Sequence, residues 1–209
     1  MKAVNAGTCN IFCLVGICGA LITAYYYQLY LKELPCPLCL LQRAGLMICG
    51  TGFTLNIFCG GRRKHYALIL AGAIVTFIIA ARQVLLNIQP GSGGFGSTLM
   101  GLHLYTWSLI AAVTLPVVTC GIIMAEDYKK TEAHRLVARC VGGLFVLLVA
   151  CNVFTTLLEC GAGHCTGDKQ CYRLLSPHLL CELQDCLRVF HVSPVIMTKD
   201  SACAPLCSK

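Results

Sequence analysis

The chain carries the run Leu34-Pro35-Cys36-Pro37-Leu38-Cys39-Leu40-Leu41-Gln42-Arg43. Two cysteines separated by two residues can close a small, strained disulfide that is readily reduced. A long apolar stretch begins at Leu40, so the pair sits where a membrane helix starts. Cys39 then lies near the helix N-terminus, where unpaired N–H groups and the helix dipole favour a thiolate. Arg43 follows four residues later and shares a helical face with Cys39. A guanidinium there stabilises a thiolate and offers a fork of donors to a planar oxygen acceptor such as a quinone carbonyl. The chemistry this points to is thiol–disulfide exchange coupled to a membrane electron carrier.

Blander readings exist for each part. A C-x-x-C can be half of a zinc site, but structural zinc takes four ligands. The chain has no second C-x-x-C, and its later cysteines are spaced unlike a zinc module. The pair can also be a purely structural loop disulfide, and Arg43 alone can be a snorkelling interfacial residue. The combination is more specific than its parts.

The elements that must position this pair follow from composition. Of 209 residues, 57% are apolar and only 12% are charged, and mean hydropathy is +0.74. So few charges cannot wet the surface of a soluble domain of this size. The +7 net charge is scattered without a dense basic tract, which argues against nucleic-acid binding. The apolar content excludes disorder of the whole chain. An integral membrane protein remains. Five stretches are long enough to cross a bilayer as helices: 11–31, 40–59, 66–88, 102–124 and 136–158. Pro116 interrupts the fourth, which neighbouring helices can accommodate. The first is read as a retained helix, not a cleaved signal peptide, because its apolar run is long and no clear small-x-small site precedes Pro35.

Orientation follows from basic residues in the loops. Arg62, Arg63 and Lys64 mark the second loop, and Lys129, Lys130 and Arg135 the fourth, as cytoplasmic. The third loop, about 89–100, has no Lys or Arg, so it and the first loop face outward. Five crossings place the tail from residue 159 outward too. This topology sorts the seventeen cysteines. Cys36 and Cys39 are in the first outward loop. Seven more are in the tail: Cys160, Cys165, Cys171, Cys181, Cys186, Cys203 and Cys207. The other eight lie within or at the ends of apolar helices and read as small buried hydrophobes. The tail is too short for a large core, so disulfides are its expected staple.

The sequence resembles the bacterial disulfide bond formation protein B (DsbB) family. The likeness runs through CPLCLLQR (Cys36 to Arg43), the basic loop RRKHY (Arg62 to Tyr66), ARQVLLNIQP (Ala81 to Pro90) and GLHLYTWSL (Gly101 to Leu109). It implies an all-α membrane protein: a four-helix transmembrane bundle over 1–125, followed here by a cytoplasmic loop and fifth helix over 126–158 and a small Cys-rich periplasmic tail over 159–209. It implies an inner-membrane, multi-pass enzyme that reoxidises a DsbA-like thioredoxin-fold thiol oxidase and passes electrons to ubiquinone or menaquinone. Carried over by position, Cys36 and Cys39 are the redox pair, with Cys39 adjacent to the quinone and Cys36 exchanging with the substrate-facing sulfurs. Arg43 corresponds to the quinone-binding arginine. Arg82 and Gln83 match a weaker motif near the quinone, and Arg82 reads equally well as an interfacial anchor. His103 and Trp107 read as an aromatic belt.

One departure stands out. The family carries a second cysteine pair between its third and fourth helices, whereas residues 89–97 here contain none. The tail offers substitutes on the same side as Cys36: Cys203 and Cys207 in the terminal segment, or Cys160 and Cys165 nearest the membrane. A wholly structural tail is the alternative. Two other readings differ from thiol oxidation by a quinone. One is a non-enzymatic, Cys-rich envelope cross-linking or binding protein. The other is an enzyme of the vitamin K epoxide reductase type, in which the redox pair lies late in the bundle, not before the second helix.

Overall fold

A computed structural model describes residues 6–31, 33, 35–88, 94, 96–125 and 135–160. Its elements are α1 (Ala6–Tyr25), continued by one π-helical turn over Tyr26–Tyr30, α2 (Pro37–Cys59), α3 (Arg63–Leu86), a two-stranded hairpin of β1 (Thr98–Leu99) and β2 (Leu102–His103), α4 (Leu104–Ala125) and α5 (Arg135–Cys160). All five helices are long and apolar enough to cross a membrane. The fold is an all-α membrane protein, and each of the five expected spans coincides with a helix. The tail beyond residue 160 lies outside the described residues.

The boundaries differ from the hydropathy reading for local reasons. α2 starts at Pro37 because Pro at the first position needs no N–H partner and Cys36 caps the helix with its side chain. α3 starts at Arg63, before the apolar run, because charged residues extend a helix past the lipid at no packing loss. Gly60 joins α2 to α3 at φ +81°, a left-handed conformation that favours glycine. β1 and β2 are linked through Met100 (φ 53°) and Gly101 (φ 82°), the pair of positive angles a tight two-residue hairpin requires. Pro116 sits inside an unbroken α4.

Residues Met1–Val153 form one compact unit, and Phe154–Lys209 a second, of which the end of α5 is described. In the first, α2 packs on α1 and on α3, α3 packs on α4, and α4 returns to α1, which closes a four-helix bundle. Its core is lined by Leu14, Ile17, Leu21, Leu46, Cys49, Phe53, Ile69, Ala73 and Leu115. α5 enters the same core through Phe145 and Leu148. The Phe145 ring lies directly over Gly50, and Tyr25 Oη donates to the Leu148 carbonyl at 3.0 Å.

Small residues bring α2 and α3 into backbone contact. A Cβ built on Gly72 meets Cys49 N and Gly45 O, each at 2.8 Å. Without a hydrophobic drive between helices in lipid, such close approach is a main source of adhesion. At the end of the bundle near the basic loop, a buried polar staple joins α1, α2 and α3. Asn56 Nδ2 donates to Asn10 Oδ1 at 3.2 Å, and His65 Nδ1 lies 3.1 Å from Asn56 Oδ1. The other end of α2 and α3 carries the cysteine pair.

Candidate redox site

Cys36 precedes α2 in extended conformation (φ −67°, ψ 157°) and acts as its N-cap: the Cys39 backbone N–H donates to Cys36 Sγ at 3.1 Å. Capping relieves one of the unpaired N–H groups at a helix start. Here it also folds the C-x-x-C into one turn, with both sulfurs at the helix end. Cys36 and Cys39 are each partly buried. The Cys36 thiol is held above the ordinary thiol range, first by a side-chain hydrogen bond with Cys39 and then by burial.

α3 supplies the wall behind the sulfurs. Gln83 Nε2 lies 3.4 Å from Cys36 Sγ and 3.5 Å from Cys39 Sγ, and donates to both. Its Oε1 accepts from Gln42 Nε2 at 2.6 Å. The same oxygen is 3.9 Å from Cys39 Sγ, which can donate to it as a thiol. Gln42 and Gln83 are 3% and 2% exposed, so this carboxamide pair is shielded from solvent.

α1 and its π turn hold the cation. Arg43 is buried, with Nη1 donating to Gln28 Oε1 at 2.6 Å and Nη2 to the Ala24 carbonyl at 3.1 Å. Its guanidinium carbon stands 5.6 Å from the Tyr25 ring centroid, within cation–π range. The π turn begins two residues after Ala24 and contains Gln28. Single π turns within helices concentrate at functional sites.

The end of the third loop is tied to the segment that precedes the pair. Glu33, three residues before Cys36, accepts from Ser97 N at 3.1 Å and from the Ser97 hydroxyl. Tyr27 Oη donates to the Thr98 carbonyl at 3.3 Å. Trp107 Nε1 donates to Leu99 O at 3.0 Å, and the His103 ring stacks on Tyr105 at 5.1 Å. Gly94, at φ +69°, passes so close to the His103 ring that a side chain would clash.

The structure therefore brings Cys36, Cys39, Arg43 and Gln83 together. Arg82, next to Gln83 on α3, is exposed. His103 and Trp107 pin the hairpin. Cys165, Cys203 and Cys207 lie outside the described residues, and of Cys160 only the helical backbone is described. Sequence reasoning missed Gln28, Gln42 and Tyr25. A polar side chain inside an apolar span is a functional signal in membrane proteins, and Gln28 carried it. Gln42 belongs to the CPLCLLQR motif, but the motif gave it no role of its own.

Comparison with known proteins bears on the same segment. Residues 7–96 match the family model for disulfide bond formation protein DsbB. Over this segment the chain is similar to the DsbB family. Proteins named disulfide bond formation protein B from two strains of Xanthomonas campestris pv. campestris and from Xanthomonas axonopodis pv. citri are 38% identical over 77 residues, covering 34% of this chain and 45% of each relative. The chain thus spans about half the length of the curated relatives it matches. No solved structure matches it. The matched segment contains Cys36, Cys39, Gln42, Arg43 and Gln83, and it ends within the cysteine-free third loop.

Proposed function

We propose that the protein is a membrane thiol:quinone oxidoreductase that reoxidises a DsbA-like, thioredoxin-fold dithiol protein outside the cytoplasm and so supports disulfide formation. The net reaction removes two electrons and two protons from the partner dithiol, leaving a partner disulfide, and converts a quinone to a quinol. The observation that carries this reading is the convergence on one helix end of a C-x-x-C pair, a buried guanidinium and a buried carboxamide that donates to both sulfurs.

Each residue has a defined task. A partner thiolate attacks Cys36 Sγ of the closed pair, and Cys39 leaves as thiolate. The helix N-terminus and the Gln83 amino group, which donates to Cys39 Sγ, favour that leaving group, and Arg43 lies one turn further along α2. Among the described residues, the donor set beside Cys39 suits a ubiquinone or menaquinone. Arg43 presents a planar fork of N–H groups with no acidic proton to lose, and the flanking surface is apolar. Arg43 and Gln83 would hold the carbonyl oxygens, with Arg82 as an outer contact. A bound quinone supplies the two-electron acceptor that side chains lack. The inner membrane of a bacterium is the setting in which such a carrier and an oxidising exterior meet.

The third loop contains no cysteine, so we assign the shuttle between Cys36 and the partner to a tail pair, Cys203 with Cys207 or Cys160 with Cys165. The test is quinone reduction, followed by ultraviolet absorbance, by the purified full chain supplied with a reduced thioredoxin-fold dithiol protein. Wild type should turn over, Cys36→Ser should lose all activity, and Arg43→Ala should lose at least tenfold, since hydrogen bonds to charged groups contribute about 1.5–3 kcal/mol. Loss of turnover in Cys203→Ser/Cys207→Ser or Cys160→Ser/Cys165→Ser identifies the shuttle. Activity in every tail variant refutes it, and absence of quinone reduction in wild type refutes the oxidase.

A further inference from the structure

Gln42 has no role in the reaction outlined above, yet it makes a short hydrogen bond in the site, 2.6 Å from its Nε2 to Gln83 Oε1. A carboxamide has two ends of nearly equal shape and opposite hydrogen-bonding sense. Which end of Gln83 faces the sulfurs therefore decides whether they meet a donor or an acceptor. Two groups compete for Gln83 Oε1: Gln42 Nε2, at 2.6 Å, and Cys39 Sγ, at 3.9 Å. The shorter N–H···O bond wins that competition, since a thiol is a weak donor. With its oxygen taken, Gln83 turns Nε2 onto Cys36 Sγ and Cys39 Sγ, at 3.4 and 3.5 Å. Burial of both glutamines keeps water from supplying an alternative partner.

We infer that Gln42 is a positioning residue for the redox pair: by holding Gln83 Oε1 it aims the Gln83 amino group at both sulfurs and thereby sets how oxidising the Cys36–Cys39 disulfide is. The inference rests on the thiol-oxidase reading. N–H donors stabilise sulfur that carries negative charge, hence the reduced pair over the disulfide, which makes the disulfide a stronger oxidant. Without Gln42, the stranded Gln83 oxygen takes the Cys39 S–H instead, and the donor to sulfur is lost.

The experiment equilibrates the full-length protein with glutathione buffers. Two glutathione thiols reduce the protein disulfide and leave as glutathione disulfide, so the ratio at half-reduction gives the potential. Quenching with isotopic maleimides and digesting with trypsin isolates residues 33–43, which contain Cys36 and Cys39 and no other cysteine. Gln42→Leu should make the disulfide about threefold to tenfold harder to reduce, the range of one net hydrogen bond, tenfold corresponding to about 30 mV for a two-electron couple. Gln83→Leu should shift it in the same direction, and adding Gln42→Leu to Gln83→Leu should change nothing further. Gln42→Met, which keeps the chain length, takes the place of Gln42→Leu in the same cycle if the leucine variant does not fold. An unshifted potential in the Gln42 variants, or an equal shift with and without Gln83, overturns the inference. A wild-type pair that never closes overturns it together with the oxidase reading. A pair that closes but gives no quinone reduction sinks only the latter, and the glutathione shift still decides on Gln42.

Discussion

Cys36 and Cys39 are three positions apart in sequence but unequal in surroundings. Cys36 lies before the first helical turn, accepts the Cys39 backbone N–H, and keeps its own proton because it shares a hydrogen bond with Cys39 and is partly buried. A value raised above the ordinary thiol range means that the proton stays on through neutral pH and leaves only in alkali. Reduced protein treated with iodoacetamide should therefore alkylate slowly at Cys36 near pH 7, with the rate rising only above about pH 9, beyond the ordinary thiol value. Cys39→Ala removes the largest cause and should bring that rise to lower pH. Mass spectrometry of residues 33–43 reads both. Rapid labelling of Cys36 at neutral pH in the wild type would contradict the asymmetry. The cysteines and Arg43 were legible in the sequence because type and spacing alone mark them. Gln42 was not, since a glutamine becomes informative only when its partner is known, and Gln83 is 41 positions away.

At the level of elements, the site depends on how closely α2 and α3 approach. Gln83 reaches the sulfurs across that seam, and the seam is set by Gly45 and Gly72. Gly72 would place a methyl group 2.8 Å from Cys49 N and Gly45 O, both backbone atoms that cannot turn aside. Gly72→Ala should separate the helices and lower the stability of the purified protein by about 1–3 kcal/mol, the usual range for overpacking. Gly16→Ala, where a built Cβ meets nothing within 4 Å, should leave the melting temperature unchanged. Equal melting of the two variants would mean that the seam tolerates separation. Hydropathy located all five helices, yet it was silent on the seam: it records that a residue is apolar, not which neighbour it faces. It also missed the hairpin, because two strands of two residues leave no alternation to detect.

Over the whole molecule, the charge pattern and the cysteine pair mark opposite ends. α2 has 23 residues, roughly 35 Å at 1.5 Å per residue, with Cys36 before its start and Arg62–Lys64 just past its end. Basic loops tend to stay in the cytoplasm, so the proposed function expects Cys36 to face outward. A membrane-impermeant maleimide added to intact cells after mild reduction should label Cys36, while a cysteine introduced as Lys64→Cys should react only after lysis. The opposite pattern would exclude an oxidase that works outside the cytoplasm. Five spans could be read from composition, because the lipid imposes their length. The docking of α5 could not, because it rests on single contacts, Phe145 over Gly50 and Leu148 O to Tyr25 Oη.

The π turn at Tyr26–Tyr30 has one more implication. A π turn is one residue wider than the α turn it replaces, so trimming a single amino acid from this stretch would let the helix revert to regular winding. Each residue advances the spiral by about 100°. The shortened helix would still span the bilayer, and its lipid-facing surface would barely notice. Gln28, however, would swing about a quarter-turn away from Arg43, unhooking the arginine from its tether. An insertion that helix geometry alone would remove is thus the register mark by which the first span addresses the second.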